Sequence, residues 1–295
     1  MNIFISSISS YVGYSTALYL HSAGHTIIGS YRTYTKRIES LENLENVTIL
    51  RIDHSISSCI PTLNFEIDVL INSTGAFLSH NVTKEDILNA NTKTALMMSK
   101  YIEESKAPKM LINFSTLSIY GDLRLEQINS TTPRAPADLY GSTKLLAEQI
   151  LDQVSQYLPV VHIRFPVVLG KGAHRAWLPT LLYKFKSNQD IVLYNSSSPY
   201  NCCTTLYSVN QFVYSLLSKS MSNYSYACNL GAYGDITIAE IIEKIKNNVN
   251  SSSEVLYLQN NLPCCMIDTN EASELGYIVP YTSDCIDYWL SEASI

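Results

Sequence analysis

The sequence predicts an α/β protein: a doubly wound parallel sheet followed by a smaller mixed α/β region. Three observations carry this. Short apolar runs recur through the first half of the chain, segments with helical spacing lie between them, and beyond about residue 165 the alternation loosens into proline, glycine and polar stretches.

Residues 2–5 (Asn2-Ile3-Phe4-Ile5) form the first strand candidate, and Val12, Ala17, Leu18 and Leu20 give residues 11–23 an apolar helical face. His25-Thr26-Ile27-Ile28-Gly29 is the second strand. Val47-Ile49-Leu50, Val69-Leu70-Ile71, Met110-Leu111-Ile112 and Val160–Ile163 repeat the pattern, with helices predicted over 84–105 and 138–156. Strands that are apolar throughout and separated by helices describe a parallel sheet covered on both faces. Ligands in such sheets bind at the carboxyl ends of the strands. Further on, Pro166, Gly170, Gly172, Pro179 and the polar 195–201 stretch break the rhythm. Helices return near 207–219, 236–247 and 281–293, with a strand at Val255-Leu256-Tyr257-Leu258. The expected division is 1–165 for a dinucleotide-binding sheet domain and 166–295 for a mainly substrate-binding region, with segments free to interleave.

A chain of 295 residues can bury a substantial core. Hydrophobic residues make up 46% and charged residues 16%, and the net charge is −6 with no basic block. Nucleic acid is therefore not an expected partner, because phosphate binding needs clustered Lys and Arg. No apolar run reaches the roughly 18 residues of a membrane span, and the N-terminus carries no secretory pattern. The expectation is a cytoplasmic protein with no membrane partner. The seven cysteines include two adjacent pairs, Cys202-Cys203 and Cys264-Cys265, and no C-x-x-C. Free thiols in a reducing compartment and no metal site are the expectation.

The first strand candidate runs into Ser6-Ser7-Ile8-Ser9-Ser10-Tyr11-Val12-Gly13 and then a helix. In a dinucleotide-binding turn, glycines at this spacing allow close backbone approach to pyrophosphate at a helix N-terminus. Here Gly13 is retained, and Ser7 and Ser10 stand at the other two positions. Either the serines donate to phosphate or they strain the turn; alone, the segment also reads as a Ser-rich connection. The second strand ends in Gly29-Ser30-Tyr31-Arg32, with Lys36 and Arg37 close behind. An acidic residue here would accept from a ribose 2′-hydroxyl, and a basic one accommodates a 2′-phosphate. With no carboxylate present, NADP(H) is favoured over NAD(H), unless Arg32 is a solvated surface charge. Asp53 is placed to touch adenine or to cap a loop.

Tyr140-Gly141-Ser142-Thr143-Lys144 opens a helix. Residues at i and i+4 share a helix face, so phenol and ammonium point the same way. A nearby ammonium lowers a phenol's pKa and equips it to move a proton at neutral pH. Upstream, Asn113-Phe114-Ser115-Thr116-Leu117-Ser118-Ile119-Tyr120-Gly121 ends a strand with hydroxyls that can bond a reacting oxygen.

In order and spacing these segments resemble the extended short-chain dehydrogenase/reductase family, the NAD-dependent epimerase/dehydratase type that modifies nucleotide sugars. The glycine-loop register, Asn91 in a long helix, the S-T-x-x-x-Y-G loop and Y-x-x-x-K all fit. Arg164-Phe165-Pro166, Asn229-Leu230-Gly231 with Thr237-Ile238, and Leu275-Gly276-Tyr277 extend the resemblance over nearly the whole chain. It implies a Rossmann-type domain, with Thr116, four residues before Tyr120, and Tyr140 on the reacting sugar oxygen and Lys144 on the nicotinamide ribose. The cofactor contacts expected are Ser7, Ser10, Tyr11, Val12, Gly13, Arg32, Asp53, Thr74, Tyr140 and Lys144. Substrate contacts are expected from Ser118, Lys171, His174 and Arg175.

Departures from the family narrow the chemistry. Dehydratases of this type carry Asp-Glu after the catalytic threonine, where this chain has Leu117-Ser118. The Cys and His of 3,5-epimerase/reductases fall on Ser118 and Ala176. A segment whose arginine helps bind nucleotide diphosphate aligns with Cys203-Thr204-Thr205 and lacks the basic residue. What remains is reduction of a keto sugar by NADPH, or 4-epimerisation with tightly held NAD. A protein that kept the fold as a binding or regulatory module is the alternative of another class. The partner expected is a small molecule, with homodimeric assembly left open.

Overall fold

The computed structural model describes residues 1–53, 60–61, 66–77, 82–105, 107–121, 125–174, 176–258 and 264–293. The chain forms two units. One comprises Met1–Asp122, Pro133–Arg164 and Asn210–Cys228; the other comprises Leu123–Thr132, Phe165–Val209 and Asn229–Ile295.

The first unit is built on seven strands: β1 (Asn2–Ser6), β2 (Thr26–Tyr31), β3 (Val47–Arg51), β4 (Val69–Asn72), β5 (Met110–Thr116), β6 (Val160–Phe165) and β7 (Ser225–Asn229). Side by side they run β7-β6-β5-β4-β1-β2-β3. Ile3 pairs with Ile27 on one side and Val69 on the other, and Leu70 with Leu111, all in parallel register. The chain steps outward from β1 to β3, returns to β4 and steps outward the other way. The carboxyl ends of β1 and β4 therefore flank a topological switch point, where such sheets bind ligands.

Helices cover the sheet. They include α1 (Tyr11–Ser22), α2 (Lys36–Glu42), α3 (Lys84–Ser105) and α4 (Leu139–Asp152). Gly13, Thr16, Ala17 and Leu20 form the buried stripe of α1. One core cluster joins Phe4, Ile28, Leu70, Leu111 and Val160 of the strands to Ala95, Met98 and Ile102 of α3 and Ala147 and Leu151 of α4.

The fold adds two features to the sequence-based expectation. Ser225-Tyr226-Ala227-Cys228-Asn229 supplies an edge strand despite its lack of branched aliphatic residues; the sheet beside it, not its own propensity, makes it a strand. The central strands are also not apolar throughout. Ser6, Asn72, Asn113 and His162 are buried in them.

In the second unit the helices Trp177–Lys186, Ile238–Asn248 and Thr282–Ala293 enclose a core of Leu178, Phe185, Ile241, Ile245 and Trp289. Three two-stranded parallel pairs complete it: Val167–Leu169 with Cys203–Thr205, Ile191–Tyr194 with Val255–Leu258, and Gln127–Ile128 with Met266–Ile267. Among the described residues no helix is long and apolar enough to cross a membrane.

Candidate active site

The turn after β1 is held by side chains. Ser7 sits at φ +48°, the left-handed region that a non-glycine residue enters at a cost of roughly 1–2 kcal/mol. Its hydroxyl lies 2.9 Å from Thr74 Oγ1. Ser10 caps α1, its Oγ accepting from the Gly13 amide at 3.1 Å and standing 3.2 Å from Ser73 Oγ. Ser73 Oγ in turn donates to the Ser6 carbonyl. A Cβ on Gly13 would collide with Ser73 and Ser10, so this position admits only glycine without rearrangement. Ser7 is thus strained, as one alternative for the serines expects, and the hydroxyls of Ser7 and Ser10 knit the loop to the end of β4. Tyr11 and Val12, half-buried, begin α1. The loop backbone and the α1 N-terminus are the groups placed to face a pyrophosphate.

At the end of β2, Ser30 Oγ accepts from the Ser7 amide at 3.2 Å. Arg32 is exposed, within the field of Asp86, whose carboxyl is held low first by Thr83's hydroxyl and amide and further by Arg32. Arg37 is the basic residue that touches the loop. Its Nη1 donates to the Ser9 carbonyl at 3.0 Å, and its guanidinium lies over the Tyr14 ring at 5.5 Å. Asp53 follows β3, half-buried.

β5 ends at Thr116, whose Oγ1 accepts from the Ser118 amide and donates to Ser118 Oγ, both at 3.2 Å. Asp138 caps α4 by accepting from the Gly141 amide at 2.7 Å. Gly141 lets the first turn of α4 press on this loop, since a Cβ there would stand 2.5 Å from the Ser118 carbonyl oxygen. That approach sets the Tyr140 phenol near enough to Thr116 for the threonine hydroxyl to favour its ionised form. The Phe77 and Tyr140 rings pack with centroids 4.3 Å apart. Lys144, 2% exposed, donates from Nζ to the Thr74 carbonyl at 2.8 Å. Asn91 fastens the neighbourhood, accepting from the Ala76 amide at 2.8 Å and donating to Thr143 Oγ1 at 2.9 Å.

The electrostatics correct one expectation. The Tyr140 phenol is raised, not lowered. Burial pushes that phenol well above its usual value, Thr116's hydrogen bond offsets part of this, and Asp138's charge adds to it. Burial also pushes the Lys144 ammonium down, to about 8, against the opposing pull of Glu148. At neutral pH the pair is a protonated phenol beside a charged ammonium.

Behind Lys144 lies a buried ion pair that no sequence spacing announces. Glu148 accepts from Arg164 through two bonds, Nε to Oε1 at 3.1 Å and Nη2 to Oε2 at 2.8 Å, and Arg164 Nη1 donates to the Tyr120 hydroxyl at 2.7 Å. Of the expected substrate contacts, Ser118 stands beside Thr116. Lys171 and His174 lie on a turn of the second unit, where His174 Nδ1 bonds the Gly172 carbonyl, and Arg175 lies outside the described residues. Among the described residues no cluster of His, Cys, Asp and Glu is arranged to hold a metal.

A switch-point loop on a Rossmann-type sheet, with Thr116, Tyr140 and Lys144 at its mouth, defines an extended short-chain dehydrogenase/reductase. The chain belongs to the NAD dependent epimerase/dehydratase family, whose sequence profile matches residues 3–214. Among curated proteins no sequence matches it. Solved structures do. dTDP-glucose 4,6-dehydratase of Bacillus anthracis, with NAD, superposes with a TM-score of 0.76 at 16% identity, covering 100% of this chain and 96% of that one. UDP-glucuronic acid 4-epimerase of Bacillus cereus, with NAD, gives 0.79 at 17%, covering 100% and 99%. A UDP-glucose 4-epimerase gives 0.79 at 18%, covering 100% and 98%. At these identities the likeness shows the fold.

Proposed function

We propose that this enzyme reduces a keto group on a nucleotide-linked sugar with NADPH. What supports the proposal is a Tyr140 phenol that burial keeps protonated near Thr116, with Leu117-Ser118 rather than a carboxyl pair directly after that threonine. A bound nicotinamide supplies the hydride. Tyr140 then gives its proton to the oxygen that hydride addition leaves charged, and Thr116 holds that oxygen by a hydrogen bond. Lys144 and the Ser7–Gly13 loop would hold the cofactor. Water elimination needs a carboxyl acid–base pair, whereas Leu117 is buried, Ser118 is a hydroxyl, and Asp138 is engaged in capping α4.

A second reading, 4-epimerisation, is favoured by the 4-epimerases among the structural neighbours, one of which holds NAD. Cofactor stoichiometry separates the two. Incubation with 4-keto nucleotide sugars is expected to consume one NADPH per product, read as falling absorbance of the reduced nicotinamide. Interconversion of 4-hydroxy epimers without added NADPH would replace the reductase with the epimerase. Cofactor binding without turnover on any of these sugars would favour a binding protein.

The cofactor preference has its own test. With Tyr31-Arg32 at the end of β2 and Arg37 fixed against the loop, NADPH is expected to bind more tightly than NADH. A charge-assisted bond to the 2′-phosphate contributes on the order of 1.5–3 kcal/mol. Arg32→Ala and Arg37→Ala should each narrow the difference in a fluorescence titration. Equal affinities in the wild type would reject the preference.

A further inference from the structure

Strands covered on both faces of a parallel sheet are ordinarily apolar. Four strands of this sheet depart from that along one row. Ser6 on β1, Asn72 on β4, Asn113 on β5 and His162 on β6 are all buried. The register sets Ser6 beside Asn72 and Asn72 beside Asn113. Their side chains join end to end. Ser6 Oγ donates to Asn72 Oδ1 at 3.0 Å, Asn72 Nδ2 donates to Asn113 Oδ1 at 2.8 Å, and Asn113 Nδ2 donates to His162 Nδ1 at 3.0 Å. His162 Nε2 closes the row on Asp152 Oδ1 at 3.0 Å, which also accepts from Ser225 Oγ.

The row has a direction. An amide nitrogen only donates, so His162 Nδ1 must accept, and its ring proton sits on Nε2, facing a carboxylate. At the other end the Thr74 amide, 3.3 Å from Asn72 Oδ1, needs an acceptor. Turning either asparagine over would set a donor against a donor. The two ends therefore demand the same orientation of both amides.

The near end of the row is the cofactor loop. Thr74's hydroxyl stands 3.0 Å from Ser6 Oγ and 2.9 Å from Ser7 Oγ, the hydroxyl of the one loop residue held in the left-handed region. Thr74's carbonyl is the seat of Lys144 Nζ. The far end is Asp152, the last residue of α4, the helix that carries Tyr140 and Lys144.

We propose that His162, Asn113 and Asn72 are positioning residues for cofactor binding. The acceptor at His162 Nδ1 sets Asn113, Asn113 sets Asn72, and Asn72 sets Thr74, which holds both Ser7 and Lys144. This rests on the reading that the loop holds a nicotinamide cofactor. None of the three needs to touch cofactor or substrate.

Two substitutions at one position separate positioning from simple packing. In His162→Asn, Oδ1 replaces Nδ1 as the acceptor for Asn113, and the bond to Asp152 is lost. In His162→Gln, the longer amide reaches Asp152 but leaves Asn113 Nδ2 without its acceptor. NADPH titrated into the full-length chain should bind His162→Asn within about twofold of wild type and His162→Gln about tenfold more weakly. Asn113→Leu should also lose about tenfold, and combining it with His162→Gln should add nothing, because both break the same row. Equal affinities for His162→Asn and His162→Gln with native circular dichroism, or additive losses in the double variant, would overturn the proposal. If His162→Gln does not fold, nitrogen NMR of wild-type His162 still decides: an Nδ1–H tautomer would contradict the row's direction. A wild type that binds neither NADPH nor NADH overturns the cofactor reading and this role with it, whereas a wild type that binds while His162→Gln and Asn113→Leu bind equally well overturns only the role of the row.

Discussion

Tyr140→Phe is expected to lower turnover by about 10²–10⁴-fold, the range for loss of a positioned proton-transfer group. The fold should not follow it down. The ring stays packed on Phe77, and what leaves is one buried hydroxyl near Thr116. Cofactor affinity should also hold, because Lys144 and the Ser7–Gly13 loop are untouched. Steady-state rates with NADPH and a keto sugar, beside a cofactor titration, separate these quantities. Activity within tenfold of wild type would remove Tyr140 as the proton donor. The pH profile of the wild type adds a direction. Burial keeps the phenol protonated, so it is ready to donate at neutral pH. Lys144 loses its charge as pH rises through about 8, so cofactor affinity should decline on that alkaline limb, and Lys144→Met should flatten it.

How far the sequence alone reaches differs from element to element. β1, β2, β4, β5 and β6 each carry two or more consecutive branched or aromatic apolar residues, and all five are strands. β7 carries none of this and becomes a strand through its neighbour. Tyr140 and Lys144 are legible because four residues on a helix is a geometric statement. Gly141 is not, because its purpose is an approach to Ser118, a residue 23 positions earlier. The serine-substituted loop reads as a weakened phosphate turn, and only its contacts with Ser73 and Thr74 show what the hydroxyls do. The row from Ser6 to His162 is invisible along the chain. Its members lie on four strands, and adjacency follows from strand order and register, which a single sequence does not display. The i, i+4 spacing of Tyr140 and Lys144 predicts a lowered phenol, and the phenol is raised. Desolvation of the buried phenol, not proximity to the ammonium, decides the sign.

Glu148→Ala should be the most destabilising of the single substitutions considered, because of the charge it leaves behind. Arg164 is 2% exposed and Glu148 is fully buried, joined by two hydrogen bonds. Without the carboxylate, the guanidinium faces the Tyr120 hydroxyl with no counter-charge in bonding contact. Breaking a buried pair this way costs about 3–5 kcal/mol, a large share of the about 5–15 kcal/mol typical of a whole domain. The double variant Glu148→Leu/Arg164→Met removes both charges and should recover most of that loss, since apolar residues of similar volume replace buried pairs at little cost. Urea unfolding of the two variants tests this. A loss below about 1 kcal/mol in Glu148→Ala would mean the pair is already solvated. Acid provides an independent check. Burial alone would raise the Glu148 carboxyl, but its bonds to Arg164 and the charge of that guanidinium hold it below the usual carboxylate range. A carboxyl depressed in the folded state stabilises fully above its unfolded pKa and ceases to do so as pH falls through the folded value. Wild type and double variant should therefore differ in stability by a constant amount above the ordinary carboxylate range. Below it, wild type should lose stability faster than the double variant, because only the wild type must protonate Glu148 against Arg164.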